Sequence, residues 1–464
     1  MKHIKIAILV AVCLFAASCE EGFYEQYPSN SITEGNFYRN DNDFNQAVGC
    51  CYLKLKTQMG WFLSETAYRS DECCLLSMTT STQDRYDIDH FQESSSTSML
   101  EDIWSAWYNG IYRCNDILDH LEGKESSLAN GDKYKGEALF LRSWWYFNLY
   151  RTFGVVPIAT DVVTPAAAKT IARCTESEMY DRLNLDLTEA IADLPSSRSA
   201  EVARVTKIAA QALLAKVDLT FGKYAEAKTL LESALADPNF GMMSTTGKAF
   251  DVNEKMNKEI IFAIYYNKAD DNGHGAWYSS STIVMSDILN PTTTIKSLYD
   301  AANDNRLALI NTYTKSTTTN NQYFMTKWYD TFDPVYTTEQ GNDFPLIRYA
   351  DVILMYAEAL AQTSDLPGAI DQLNRTRNRA GLVSLSDTDI ATKTAFIQAL
   401  ADERGREFAL EGQRWYDLVR LGLAVDYFKA LGYTLDSHNL VFPIPQAEIE
   451  IVNNKSILWQ NPGY

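Results

Sequence analysis

Three glutamates recur at helical spacing in the stretch DERGREFALEGQRWYDLVRLG, which runs from Asp402 to Gly422. Glu403, Glu407 and Glu411 lie four residues apart, so on one helix they would share a face with their Cβ atoms about 5–6 Å apart. Retaining glycosidases hold their two catalytic carboxyl groups about 5–5.5 Å apart. The spacing therefore raises the question of whether this stretch cleaves sugars.

The geometry of a single helix argues against catalysis. Catalytic carboxylates flank the bond that they cleave, whereas neighbours on one helix approach from the same side. The interleaved arginines Arg404, Arg406 and Arg414 would keep the acids ionised and leave no proton donor. We therefore interpret the stretch as scaffold, in which the glutamates pair with these arginines and three apolar residues pack into the core: Phe408, Trp415 and Leu418.

No other enzyme signature accompanies this stretch. The sequence contains no H-E-x-x-H, G-x-S-x-G or G-x-G-x-x-G motif and no Cys/His spacing typical of a metal site, so we predict neither a metal nor a cofactor. The formal net charge of −19 argues against a nucleic-acid partner, because phosphate binding requires a basic surface.

Loop aromatics indicate binding of a sugar without cleavage. Flat aromatic faces cover the C–H face of a pyranose ring, and planar polar side chains bind its hydroxyls. Trp277 and Tyr278 occupy the Gly-rich polar stretch NGHGAWYSS and are our first candidates for ligand contacts. The alternative for Trp277 is a loop anchor that packs into the core, because tryptophan is usually well buried.

A second candidate stretch, QDRYDIDHFQ, lies in a polar region that we expect to be a loop. It offers the rings of Tyr86, His90 and Phe91 near Asp84, Arg85 and Gln92. From this stretch we predict three ligand contacts: Arg85, Phe91 and Gln92. Trp61 and Trp328 are further candidates. Trp328 lies on a predicted strand, where packing in the core is the alternative role.

The elements that must position these residues are mainly helical. Apolar or small residues recur at three- and four-residue steps in eight segments, at 43–59, 101–121, 133–154, 176–194, 206–222, 224–237, 349–363 and 367–381. The four tryptophans on the second and third of these segments are predicted to pack in the core: Trp104, Trp107, Trp144 and Trp145.

Two helix pairs share an internal pattern of small residues. Ala227 and Leu231 follow Ala215 at the same spacings at which Ala369 and Leu373 follow Ala357. This pattern is typical of tetratricopeptide repeats, where small residues let antiparallel helices approach closely. We predict a mainly α fold: a tetratricopeptide-like helical superhelix with loop-rich insertions and a small β-hairpin.

Residues 239–344 interrupt the helical pattern, as do residues 60–99. In the longer insertion the run EIIFAIYYNK is predicted to be a strand, with QYFMTKWYD as its partner. Loops on a rigid scaffold usually carry binding, so we assign ligand binding to the two insertions and the scaffold to about residues 30–238 and 345–464.

The N-terminus is predicted to be a lipoprotein signal peptide over residues 1–18. Lys2 and Lys5 precede an apolar run, Ile6–Ala17, that is too short to span a bilayer. The sequence AASC then resembles a bacterial lipobox, which predicts cleavage before Cys19 and acylation of its thiol. Residues 19–464 are predicted to form a single domain.

Five ordered motifs resemble the SusD/RagB family of nutrient-binding outer-membrane lipoproteins: Gly136–Pro157, Pro345–Leu360, Leu373–Gly381, Glu403–Gly422 and Asn439–Tyr464. The resemblance implies a surface-exposed, lipid-anchored protein that captures a glycan, has no catalytic activity, and delivers the glycan to a SusC-like TonB-dependent transporter. It also implies that Asp71 lies near the ligand site. Two alternatives remain open: capture of peptides, as in RagB-like members, and an α-helical glycoside hydrolase or lyase.

Overall fold

The computed structural model describes residues 37–75, 78–198, 203–267, 290–314, 321–328 and 341–464. The helices of the N-terminal half are α1 (Asp41–Tyr68), α2 (Gln83–Asp89), α3 (Ser98–Leu121), α4 (Gly131–Phe153), α5 (Pro165–Ala168), α6 (Glu176–Asp193), α7 (Lys207–Thr220) and α8 (Tyr224–Leu235). Those of the C-terminal half are α9 (Thr293–Ser297), α10 (Tyr349–Gln362), α11 (Leu366–Arg379), α12 (Lys393–Glu407), α13 (Arg414–Arg420), α14 (Ala424–Ala430) and α15 (Gln446–Val452). The predicted mainly α fold is confirmed.

Local sequence explains where these helices begin and how closely they pack. Thr175 and Glu178 form a reciprocal capping box that starts α6, which satisfies two backbone N–H groups that the helix leaves free. Gly110 on α3 lies against the Trp145 ring of α4, and a Cβ at that position would come within 2.4 Å of the ring. The four tryptophans predicted to pack in the core are all buried: Trp104, Trp107, Trp144 and Trp145.

The two tetratricopeptide-like pairs are α7 with α8 and α10 with α11. The small residues that mark them, Ala215, Ala227, Ala357 and Ala369, are fully buried. Helix α10 packs directly against α8, and the Tyr349 hydroxyl donates to the Leu235 carbonyl at 3.0 Å. The helical array is therefore interrupted in sequence but continuous in space, and the longer insertion leaves it between consecutive pairs.

The strands pair differently from the prediction. β2 (Ile260–Ile264) pairs antiparallel with β6 (Phe344–Arg348), in the register Ile260 to Arg348 and Ile264 to Phe344. The predicted partner contains β5 (Asn321–Met325), which pairs instead with β4 (Ile310–Thr314) and supplies the expected small hairpin. The prediction of the partner was wrong because strand pairing joins segments that are distant in sequence, and no local pattern in Phe344–Arg348 identifies it as the partner of β2.

A two-residue ladder joins the two insertions. β1 (Cys73–Cys74) pairs antiparallel with β3 (Asn290–Pro291). The Thr292 N–H donates to the Glu72 carbonyl at 3.0 Å, and its hydroxyl donates to the Asp71 carbonyl. In the part of the chain that the structure describes, no helix is both long and apolar enough to cross a membrane.

Candidate ligand-binding site

The carboxylates of the Glu403–Glu411 stretch lie inside the protein. Glu403 and Glu407 are fully buried and Glu411 is 3% exposed. Glu407 binds the guanidinium groups of Arg348 at 3.0 Å and Arg306 at 3.1 Å, and it also contacts Arg379. We call the whole cluster the buried charge network: Glu259, Asp304, Glu403, Glu407, Glu411, Arg306, Lys327, Arg348, Arg379 and Arg406.

The partners of these glutamates differ from the prediction. Of the three arginines proposed from the sequence, Arg406 pairs with Glu403 at 3.1 Å. Arg404 instead binds Asp351 at 2.9 Å and Asp417 at 2.7 Å. Glu411 also has other partners than predicted, because α12 ends at Glu407 and the chain turns before α13 begins. Glu411 therefore lies beyond the helix and binds Arg348 and Lys327, each at 2.8 Å.

This surrounding of cations determines the chemistry of the three acids. The nearby arginines hold the pKa of Glu407 well below its usual range, and Arg306 and Arg406 lower the pKa of Glu403 against the opposing effect of burial. An ionised carboxylate cannot donate a proton, and a fully buried one cannot reach a polymer. The structural interpretation of this stretch is confirmed, as is the burial of its apolar residues Phe408, Trp415 and Leu418.

Asp71 belongs to the scaffold in this structure. It is 4% exposed, and its carboxylate accepts hydrogen bonds from Arg414 Nε at 2.9 Å, Arg414 Nη2 at 3.2 Å and the Tyr427 hydroxyl at 2.5 Å. A buried guanidinium needs this counter-charge, so a ligand could bind Asp71 only by breaking the ion pair. Asp71 therefore links the first insertion to α13, and its role as a ligand contact stays a prediction.

The stretch around Arg85 is a short helix, where the sequence predicted a loop. Asp84 Oδ2 accepts the Ser98 hydroxyl at 2.6 Å and the Met99 N–H at 2.8 Å, so it ties α2 to the start of α3. Arg85 is partly buried and Gln92 is exposed. A ligand could therefore contact Gln92, and it could also contact the exposed part of Arg85.

Phe91 packs against neighbouring rings. Its ring lies 5.2 Å from Phe428, 5.5 Å from Tyr433 and 5.8 Å from Trp415, with the Arg69 guanidinium 4.3 Å from its centroid. Phe91 is partly exposed, so these contacts give it a packing role, and its role as a ligand contact stays a prediction.

Two other rings of this stretch, which were offered by the sequence but not predicted as ligand contacts, form a pair at α2. Tyr86 and His90 stack at 3.9 Å with an angle of 19° between their planes, and both are partly exposed. They lie four residues apart, which places them on one helical face, so recognising the helix would have identified them. Burial raises the pKa of the adjacent Asp89 to about 6, against its hydrogen bond from the Leu75 N–H.

The remaining predicted contacts lie outside the described residues. This applies to Trp277, Tyr278 and the lipidation site Cys19, and to the side chains of Trp61 and Trp328. The backbone of Trp61 lies in α1, and that of Trp328 ends a 3₁₀ turn, Thr326–Trp328, instead of continuing a strand.

Several cavities open between the described elements. One cavity, of about 450 Å³, lies between α1 and β2 and has mainly apolar walls that include Tyr52, Phe262 and Tyr265. A polar cavity of about 340 Å³ adjoins Lys327 of the buried charge network. Among the described residues no group of three His, Cys, Asp or Glu side chains is arranged to hold a metal ion.

Two family models match this chain. Residues 296–464 match a model described as SusD family, and residues 43–219 match one described as starch-binding associating with outer membrane. SusD-like protein P2 of Formosa agariphila is 26% identical over 516 residues, with both chains covered in full.

Solved structures share the fold. A SusD superfamily protein of Bacteroides vulgatus superposes with a TM-score of 0.77 at 24% identity, covering 92% of this chain and 100% of that one. Surface glycan-binding protein A of Bacteroides thetaiotaomicron, in complex with laminarihexaose, gives a TM-score of 0.72 at 20% identity, covering 91% and 99%.

Proposed function

Because this chain is a member of the SusD-like family, we propose that it is a cell-surface lipoprotein that binds an oligosaccharide or polysaccharide without cleaving it. In this proposal it delivers the glycan to a SusC-like TonB-dependent transporter of the outer membrane. Acylated Cys19 is the anchor, because buried acyl chains hold an otherwise soluble body at a membrane.

The observation that carries the proposal is the family match over residues 43–219, whose description names both starch binding and the outer membrane. A structural relative with the same fold binds laminarihexaose. These findings favour a glycan over a peptide as the ligand.

The geometry of the insertions supports a binding role. Arg306 and Lys327 of the longer insertion are tied to α12 and the turn after it by Glu403 and Glu411, at 2.8 Å in both cases. The shorter insertion is tied to the same turn by Glu72, whose side-chain carboxyl oxygen accepts the Leu410 N–H at 2.8 Å. These contacts fix the described parts of the insertions, and fixing them reduces the ordering that a ligand must impose, which favours affinity.

The same contacts argue against catalysis by the acidic stretch. Its carboxylates are committed to buried cations, so they contribute rigidity to the scaffold and not a proton to a substrate. We therefore assign the accessible surface of the insertions to capture of the glycan.

A binding array tests the ligand class. The soluble form that begins after Cys19 is applied to immobilised polysaccharides, including starch and laminarin, and to a peptide library on the same surface. We expect retention on at least one polysaccharide and none on the peptides. Retention on peptides alone would overturn the proposal in favour of the RagB-like alternative.

A further inference from the structure

A polar cavity of about 340 Å³ lies beside the buried charge network. One wall comes from two consecutive 3₁₀ turns, Gly247–Phe250 and Val252–Glu254. The facing wall comes from Leu309, which precedes β4, and from Thr326 and Lys327, which follow β5. None of the described ligand candidates Asp71, Arg85, Phe91 and Gln92 lines it.

The rim of the cavity holds a fixed set of polar groups. Asp251 Oδ2 binds Lys248 Nζ at 2.7 Å. Asp251 Oδ1 accepts the N–H and the side-chain amide of Asn253, at 3.0 Å and 3.1 Å. Lys248 and Asn253 are exposed, so each can make further hydrogen bonds to a ligand. The rim therefore offers donors and acceptors in fixed directions.

The inner part of the cavity combines apolar surface with a neutralised cation. Phe250, Val252 and Leu309 supply the apolar surface. Lys327 is 4% exposed and its Nζ binds Glu411 at 2.8 Å. Each lysine of the cavity thus has its own carboxylate partner: Asp251 for Lys248 and Glu411 for Lys327.

We propose that this cavity binds one neutral pyranose residue of a glycan, as a site additional to the surface formed by the predicted loop contacts. Balanced charges favour a neutral ligand over an anion. Directional donors and acceptors suit sugar hydroxyls, and the apolar wall suits the C–H face of the ring. The volume falls at the lower end of the range for small-molecule sites, about 300–1,000 Å³.

This inference rests on the proposed glycan binding and adds a consequence to it. A polysaccharide can occupy the cavity and the loop surface together, whereas a short oligosaccharide occupies one site at a time. The second contact of the polymer is then intramolecular and strengthens binding by avidity. Loss of the cavity site should therefore weaken binding of a polymer more than binding of its hexasaccharide.

The test removes the rim contacts and compares polymers with oligomers. The variant is K248A/N253A, and the matched control is K228A, which removes an exposed lysine that pairs with Glu232 at 2.7 Å on α8. Both are titrated with amylopectin and maltohexaose and with laminarin and laminarihexaose, after circular dichroism has verified folding.

We expect K248A/N253A to bind the polysaccharide at least about tenfold more weakly than the wild type. Its affinity for the hexasaccharide should change less than about twofold, and K228A should bind both ligands as the wild type does. Unchanged polysaccharide affinity would overturn the cavity site. Equal losses for polymer and hexasaccharide would overturn its status as an additional site. Failure of the wild type to bind either probe pair would also overturn the cavity site. The proposed function is decided separately, by the array of polysaccharides and peptides.

Discussion

Replacing Glu407 by glutamine tests whether the acidic stretch is scaffold. The substitution keeps the volume of the side chain and one oxygen acceptor but removes the charge. Three guanidinium groups lose an anionic partner: Arg306, Arg348 and Arg379. Each remains buried, so water cannot replace the missing charge.

The magnitude follows from the remaining contacts of these cations. Removing one partner of a buried ion pair typically costs about 3–5 kcal/mol. Here Arg306 keeps Glu403 at 2.8 Å, and Arg348 and Arg379 both keep Glu259 at 2.7 Å. Because every cation retains a carboxylate, we expect the lower end of that range, about 3 kcal/mol of lost unfolding free energy.

Urea unfolding followed by circular dichroism measures this loss, with Glu232→Gln as the control. Glu232 is 47% exposed in its pair with Lys228, and surface pairs contribute about 0.2–1 kcal/mol. Glycan affinity per folded molecule should stay unchanged in Glu407→Gln. A loss below about 1 kcal/mol, indistinguishable from the control, would refute the scaffold assignment.

The pH dependence of the difference between wild type and Glu407→Gln provides a second check. The folded protein holds the pKa of Glu407 well below its usual range. The stabilisation from its charge is therefore complete above the unfolded pKa of about 4.3 and is lost as the pH falls toward the folded pKa. The two proteins should differ most at neutral pH and converge in acid.

Four further predictions concern single side chains. Asp71→Asn should lower the unfolding free energy by about 3–5 kcal/mol in urea titrations without changing affinity per folded molecule; selective loss of affinity would restore its role as a ligand contact. Trp277→Ala should weaken glycan binding at least about tenfold, or about 1.4 kcal/mol, by calorimetry, whereas Trp459→Ala, which removes a side chain 40% exposed on the C-terminal tail, should not; equal effects would contradict the site. Cys19→Ala should move the protein from the membrane fraction to the soluble fraction on immunoblots, because it removes the proposed acyl anchor; retention on membranes would point to another anchor. Burial raises the pKa of Glu72 to about 8. Between about pH 4.3 and pH 8 the folded protein therefore keeps a proton on Glu72 that the unfolded chain releases. The unfolding free energy thus falls as the pH rises through this range. Glu72→Gln should therefore lose less thermal stability than the wild type between pH 5 and pH 8, and an equal loss would contradict the buried, protonated carboxyl.

The helical scaffold could be predicted because its signals are local. Apolar periodicity predicted a helical segment at 176–194, and the structure places α6 at Glu176–Asp193. The small residues of the two helix pairs likewise predicted their close packing. These features need only neighbours within a few turns of one helix.

The strand pairing and parts of the site depend on contacts that are distant in sequence. Asp71 meets Arg414 across 343 positions, and no spacing rule connects the two residues. β2 pairs with β6, and no pattern within either run identifies the other as its partner. Helix α2 has seven residues, too few for periodicity to identify, so the partly exposed pair of Tyr86 and His90 was not selected.

In the proposed function a rigid helical scaffold presents insertions that hold a glycan and break no bond. The most direct measurement incubates the purified soluble chain with an end-labelled polysaccharide that it retains on the array, and follows both bound label and new reducing ends. We predict sustained binding with no increase in reducing ends over a protein-free sample. Release of shortened, labelled fragments in proportion to protein concentration would contradict the claim.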